Sequence, residues 1–389
     1  MNPQRVFCPN IECPAKGQQG CGNIRVHSRQ EKRYVCMVCG QTFSASKGTV
    51  LYRLRTDSEQ VMLVVTLLAN GCPLPAIVAA FGYDERTVNS WWQRAGEHCR
   101  RVHEHLVEGR QLDLEQVQAD EIKAKVQGGS LWMALAVMVR TRLWLGGVIS
   151  PRRDYGLIAQ LVAKVRGMAL CRPLLLAVDG LASYVGAFQA AFRSPLPSHG
   201  QPGRPRLVAW QDVAIVQVVK HRTATGLDIV RRIVQGTEPS VTQLLHRSQG
   251  GGRTIAGRDT GRNTGENGVI NTAYIERLNG TFRQRLACLA RRTRHLVQQQ
   301  ATLTAGMYVV GCFYNFCDQH QSLRLRLWIT ERRYRWVHRT PAMAANLTDH
   351  CWTPTELLTF HVPPPRWTPP KRRGPPSKQT LALVAKWCS

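Results

Sequence analysis

The stretch Leu174 to Gly180 reads LLLAVDG, five apolar residues running straight into one carboxylate, Asp179. A short run with no polar position on either face, closed by glycine, predicts a strand buried on both faces, as in the middle of an α/β sheet. Ligand sites in such sheets gather beyond the carboxyl ends of central strands, where Asp179 falls. A carboxylate there is costly unless something cationic meets it.

Cations are plentiful. The 389 residues include 52 Lys+Arg against 25 Asp+Glu, a net charge of +27. Such a surplus predicts a large polyanionic partner, most simply nucleic acid. The plainer alternative is a basic protein that only adheres to anions. The length suits two or three domains, and 43% hydrophobic content supports a real core and excludes a disordered chain. The N-terminal MNPQRVFCPN lacks the apolar core of a secretion signal, and no run reaches about 18 apolar residues. Thirteen Cys without an export signal point to metal binding and buried thiols rather than disulfides. The expectation is a soluble cytoplasmic protein with no membrane partner.

Residues 1–48 carry two cysteine knuckles, Cys8-x4-Cys13 and Cys36-x2-Cys39. Four thiolates in two close pairs suit a tetrahedral structural Zn²⁺, and Gly40 supplies the tight turn of the second pair. So small a segment needs the metal for its folding energy. The spacing predicts a zinc ribbon; Cys21 could replace one ligand, and His27 reads as a surface or strand histidine. Across 49–108, helices are predicted from Asp57 to Asn70, from Pro73 to Ala80, and after Gly82. Helix, glycine turn and a helix led by Asp84 fit a helix-turn-helix, with Arg86, Thr87, Asn89 and Arg94 placed to meet DNA. Trp91 and Trp92 read as packing residues, and a plain three-helix bundle has the same spacing.

The next domain, 112–320, reads as α/β. Val117 to Val126 alternates like a strand and carries Asp120 and Glu121 side by side; on a strand these face opposite ways, so only one is expected at any given site. Leu131 to Arg142 and Trp144 to Ile149 follow as strands, then a helix capped by Asp154, then the strand ending at Asp179. This is the element order of a ribonuclease-H-like fold, in which the first and fourth strands lie side by side and Asp120 comes near Asp179. A further strand is predicted over Asp212 to His221 and a helical piece over Ser240 to Arg247. The segment 249–268 is Gly-rich and basic and reads as a mobile surface insertion, either touching a phosphate backbone or simply tolerated. From Asn271, Ile275, Leu278, Phe282, Leu286 and Leu289 mark one apolar helix face, with Glu276, Asn279 and Arg283 stacked on the adjoining side. Ala301 to Cys317 is an apolar core helix. Residues 321–361 form a basic extension in which Trp328, Tyr334 and Trp336 interleave with arginines, a nucleic-acid surface or an ordinary amphipathic face. The Pro-rich basic tail, 362–389, is expected to be unfolded. No GxxxxGK[ST] phosphate loop occurs, so nucleotide hydrolysis is not indicated.

Two strand-borne aspartates and a helix-borne glutamate in so basic a chain point to divalent metal. Paired Mg²⁺ ions activate a water or 3′-hydroxyl for phosphodiester displacement, and carboxylates are their preferred ligands. The blocks CPNIECPAKGQ, YVCMVCGQTFS, QADEIKAK, LLAVDG, INTAYIERLNGTFRQRLACLARRTRH, YNFCDQHQSLR and TPAMAANLTDHCWTPTELL resemble DDE transposases of bacterial insertion sequences, of the insertion-sequence-1-type branch. The likeness covers roughly residues 5 to 360 and is most specific in IERLNGTFRQRL. It implies a ribonuclease-H-like core, two catalytic Mg²⁺ and a structural Zn²⁺, double-stranded DNA as partner, a homodimer or larger assembly on DNA, and a bacterial, nucleoid-associated location. By the family motif Asp120, Asp179 and Glu276 are the catalytic triad, with Asn279 and Arg283 in support. Two features depart from the pattern: the 249–268 insertion, and the absence of an aromatic after the DE pair. Rival readings are a non-catalytic DNA-binding regulator or domesticated remnant, and a nuclease of the same fold without strand transfer.

Overall fold

A computed structural model describes residues 1–196, 204–223, 226–250, 270–293, 295–331, 333–369 and 374–387. The described residues fall into two compact units, Met1–Leu63 with Leu358–Ser389, and Val64–Leu357. Among them, no helix is long and apolar enough to cross a membrane.

The smaller unit holds three short antiparallel strands, β1 (Ile24–Ser28), β2 (Arg33–Cys36) and β3 (Thr42–Ser44). Its core is little more than Ile24, Tyr34, Phe43 and buried cysteines, closed by Trp387. That tryptophan ends a C-terminal helix, Lys378–Trp387. The expectation of an unfolded tail is therefore corrected for this stretch: it is helical, and its Trp387 ring, only 6% exposed, is buried in that small core.

Next come α1 (Ser58–Ala69), α2 (Leu74–Phe81) and α3 (Glu85–His103). Helix α2 stops at Gly82, and Asp84 caps α3 by accepting from the Arg86 amide at 2.8 Å. Trp91 and Trp92 are buried, as packing residues should be. The second half of α3 lies against α8 (Gln300–Cys312) so closely that a Cβ on Gly96 would come 2.3 Å from the Ala305 Cβ. The expected boundary near residue 110 thus falls inside the larger compact unit.

The larger unit is built on a six-stranded mixed sheet. Strands β4 (Gln116–Val126), β5 (Gly129–Met138) and β6 (Trp144–Ser150) form an antiparallel meander, followed by α4 (Tyr155–Met168). Strand β7 (Leu174–Val178) then returns parallel to β4, with Ala119 opposite Val178, and leads to α5 (Ala182–Ala191). A small pair, β8 (Arg193–Pro195) and β9 (Leu207–Ala209), precedes β10 (Val213–Thr223) and β11 (Gly226–Gln235). The sheet order is β11-β10-β7-β4-β5-β6, so the all-apolar β7 lies inside it with every residue buried. Strand β11 was not anticipated. Helix α6 (Glu238–Gly250) covers one face, its Val241, Leu244 and Leu245 packed on Leu175, Ala177, Ala214, Val216 and Val218. The basic Gly-rich insertion lies, from residue 251 on, outside the described residues.

Helix α7 (Ala273–Arg285) packs on β4 and β5. It ends earlier than its apolar spacing suggested: Leu286 turns extended and a short 3-10 turn, Ala287–Leu289, follows, yet all five apolar positions are buried. Beyond α8 the basic-aromatic segment is a hairpin, β12 (His320–Trp328) and β13 (Tyr334–Arg339), with Arg326 paired across to Trp336. Leu325, Leu327 and Trp328 on it are exposed.

Candidate functional site

The cysteine knuckles converge. Cys8, Cys13, Cys36 and Cys39 bring their sulfurs within 4.8 Å of one another, with Cys8–Cys39 at 3.7 Å and Cys13–Cys36 at 3.8 Å. A tetrahedron with Zn–S bonds of about 2.3 Å has edges of about 3.8 Å, so the set fits such an ion. The Gly40 amide closes the second knuckle on the Cys36 carbonyl at 2.8 Å, with φ of +71°, a region open to glycine. Burial, followed by the neighbouring thiols, pushes the Cys13 thiol up to about 12. Four thiolates in that space need a cation among them. Cys21 is exposed and stands outside the group, so it replaces none of the four.

The acidic residues gather at the carboxyl end of β7. Asp120, Asp179, Glu276 and Arg283 line one cleft of about 780 Å³, together with Lys220, Thr272 and Arg291. Local structure explains the gathering. Asp120 and Asp179 each follow the last β4–β7 pair, Ala119 with Val178, by one residue. Gln118, two residues earlier on the same face, accepts from the free first-turn amides Tyr274 and Ile275 at 3.1 and 3.0 Å. This seats α7 on the sheet and brings Asn279, itself buried, within 2.8 Å of Asp120 Oδ2 as donor.

The tightest acidic group is not the expected triad. Carboxylate oxygens of Asp120, Glu121 and Asp179 lie within 4.8 Å of one another. Glu276 lies on the same cleft but outside that group, held by Lys220 Nζ and by the Thr272 hydroxyl. The expectation that only one of Asp120 and Glu121 could serve a given site needs correcting. The two do leave β4 on opposite faces, but Asp179 stands just past the end of β7, where it can be approached from both. Arg153 Nη2, ahead of α4, sits 3.3 Å from both Glu121 Oε2 and Asp179 Oδ2.

Charge crowding shows in the protonation equilibria. Burial, followed by the charges of Asp179 and Glu276, lifts Asp120 to about 6. Burial and the Asp179 charge lift Glu121 to about 7, against the pull of Arg153. For Glu276, burial acts upward but Lys220 and Thr272 outweigh it, leaving the group below its usual value. Among the described residues, Asn279 Oδ1, Glu121 Oε1 and the Tyr184 hydroxyl are buried oxygens with no hydrogen-bond partner. Hard and oxygen-rich, the set suits a divalent cation of the Mg²⁺ type.

Sequence reasoning missed Glu121, Arg153, Lys220, Gln118 and Tyr184. Only Glu121 had a signal, its adjacency to Asp120; the others matter through contacts distant in the chain. Of the expected DNA-facing residues, Arg86 is exposed, while Thr87, Asn89 and Arg94 are half-buried. The chain matches no protein-family model and no curated protein in sequence.

Proposed function

We propose that the protein is a DNA transposase of the DDE type, acting on phosphodiesters in the acidic cleft. The observation that carries this is the convergence of Asp120, Asp179 and Glu276, from three distant stretches, on one cleft with Lys220, Arg283 and Arg291. Carboxylates that could bind metal beside side chains that could bind phosphate are what phosphodiester displacement requires. In this reading the sheet is ribonuclease-H-like, with β4 and β7 as its adjacent carboxylate-bearing strands. The smaller unit and α2–α3 are the zinc ribbon and helix-turn-helix that recognise the element's terminal repeats through Arg86, Thr87, Asn89 and Arg94.

Asp120, Asp179 and Glu276 would hold two Mg²⁺, which when bound supply a Lewis acid for the attacking and leaving oxygens. The chain's own residues do the positioning. Asn279 fixes the orientation of Asp120. Lys220 neutralises Glu276 and presents a cation at the cleft wall. Arg283 and Arg291 offer guanidiniums to the phosphate backbone. Hydrolysis would free a 3′-hydroxyl at the element end, which then attacks target DNA; two ends cut together imply a dimer or larger assembly on DNA.

The test is strand transfer in Mg²⁺. A duplex carrying a terminal sequence taken from the DNA flanking the gene, pre-cut at its 3′ end, is offered with a second duplex. Wild type should join them and Asp179→Ala should not. Joining that persists in the variant refutes the assignment; cleavage without joining points to a nuclease, and binding alone to a regulator.

A further inference from the structure

We propose that Glu121 is itself a metal ligand, forming with Asp120 and Asp179 the first divalent-cation site of the cleft, and that Arg153 occupies its place until the ion arrives. This rests on the reading of the cleft as a metal centre and departs from the expected triad.

The Glu121 side chain is wholly buried. A buried carboxylate needs compensation for the water it has lost. One oxygen, Oε2, has Arg153, which is 37% exposed and shared with Asp179. The other, Oε1, has no hydrogen-bond partner among the described residues. Tyr184, fully buried on α5, has a hydroxyl equally without a partner among the described residues; its ionisation is pushed up by burial first, and then by the charges of Glu121, Asp179 and Asp120. A structural salt bridge explains Oε2 but leaves Oε1 and the tyrosine oxygen without purpose. Charge balance agrees: among the described residues, Glu121 and Asp179 share one ion-pair partner, the Arg153 guanidinium. Arg283 also acts on Asp120, but it is shared with Glu276.

The spacing suits an ion. In an octahedral Mg²⁺ shell with bonds of about 2.1 Å, neighbouring oxygens lie about 3.0 Å apart and opposed ones about 4.2 Å. The three acids already hold oxygens within 4.8 Å of one another, and side-chain rotation would draw them in around an ion. Glu276 already has Lys220 and Thr272, and is left for a second ion or for the substrate-bound state. Arg153, stacked 5.0 Å from the Trp132 ring, can swing away and retain a partner for its face.

The test uses the full chain without DNA, titrated with Mn²⁺ and followed by the electron paramagnetic resonance signal of the free ion. Glu121→Gln and Asp179→Asn should each weaken Mn²⁺ binding by about tenfold or more, Glu276→Gln by less than about threefold, and Arg153→Gln should tighten it several-fold. Wild-type affinity in Glu121→Gln, with binding lost in Asp179→Asn, overturns the proposal while leaving the metal centre intact. Unchanged affinity in both sinks the metal centre itself, and with it the transposase reading. Thermal unfolding reports whether Glu121→Gln folds. If it does not, the exposed Arg153→Gln decides: affinity equal to or weaker than wild type refutes the exchange.

Discussion

Acid should weaken the larger unit through His103, and the size of the effect can be worked out. The residue is wholly buried on α3, its ring 4.3 Å from Trp144 and 5.9 Å from Tyr308, with Nε2 3.3 Å from the Leu145 carbonyl. Glu108 stands 3.6 Å away, but it is already engaged by Lys164 at 2.6 Å. Burial first, and then the Lys164 charge, press the imidazole from 6.5 down to about 3. The native protein thus keeps this histidine neutral where the unfolded chain would protonate it. Stability is therefore lost as pH falls below about 6.5 and continues to fall toward the native value. Between pH 7 and pH 5 the loss from this one group is about 2 kcal/mol. Asp120 and Glu121, lifted to about 6 and about 7, act in the opposite direction, favouring the folded state as pH falls. The informative quantity is therefore the difference between wild type and His103→Phe, which keeps a ring between Trp144 and Tyr308 and removes the titration. Urea unfolding of both, followed by tryptophan fluorescence at the two pH values, should show wild type losing about 2 kcal/mol more than the variant. Parallel behaviour refutes the argument that His103 is held neutral by burial.

Three further outcomes follow from particular contacts. Asn279→Ala removes the donor that orients Asp120, and should lower Mg²⁺-dependent cleavage by about 10- to 100-fold with the fold intact by circular dichroism. Stripping metal with a chelator, or Cys36→Ser, should unfold the smaller unit and release Trp387 from its core, because a structural zinc supplies on the order of 10 kcal/mol of folding free energy; Cys21→Ser should retain the metal by elemental analysis. Arg324 lies 4.0 Å from the Trp336 ring, and Arg326 lies 4.6 Å from that of Tyr334. Replacing both arginines by Ala should reduce the slope of log affinity against log salt for duplex DNA by about 1.8, whereas an unchanged slope removes the hairpin from the DNA surface.

Much was legible in the sequence wherever the signal is local. LLLAVDG could only be a strand buried on both faces, and β7 is that strand. The cysteine spacings prescribed a four-sulfur group, and the apolar period named the residues that α7 and the turn after it bury. Asp154 was readable as a cap because its partner, the Leu157 amide, is three residues away. Strand β11 was missed because it pairs with β10 at the sheet edge, where its Val230 and Ile233 remain exposed and the apolar alternation is weak.

What only the tertiary structure decided is which charges meet. Sequence put Glu121 on the wrong face of a strand, which is true of the strand and irrelevant just past the end of its neighbour. It gave no hint that Arg153 would lie between Glu121 and Asp179, or that Lys220 would take hold of Glu276. The physical reason is range. Backbone periodicity and capping act over a few residues and are written in the chain. Coulomb interactions act across space, so their partners are set by strand order and helix seating, which no local pattern contains.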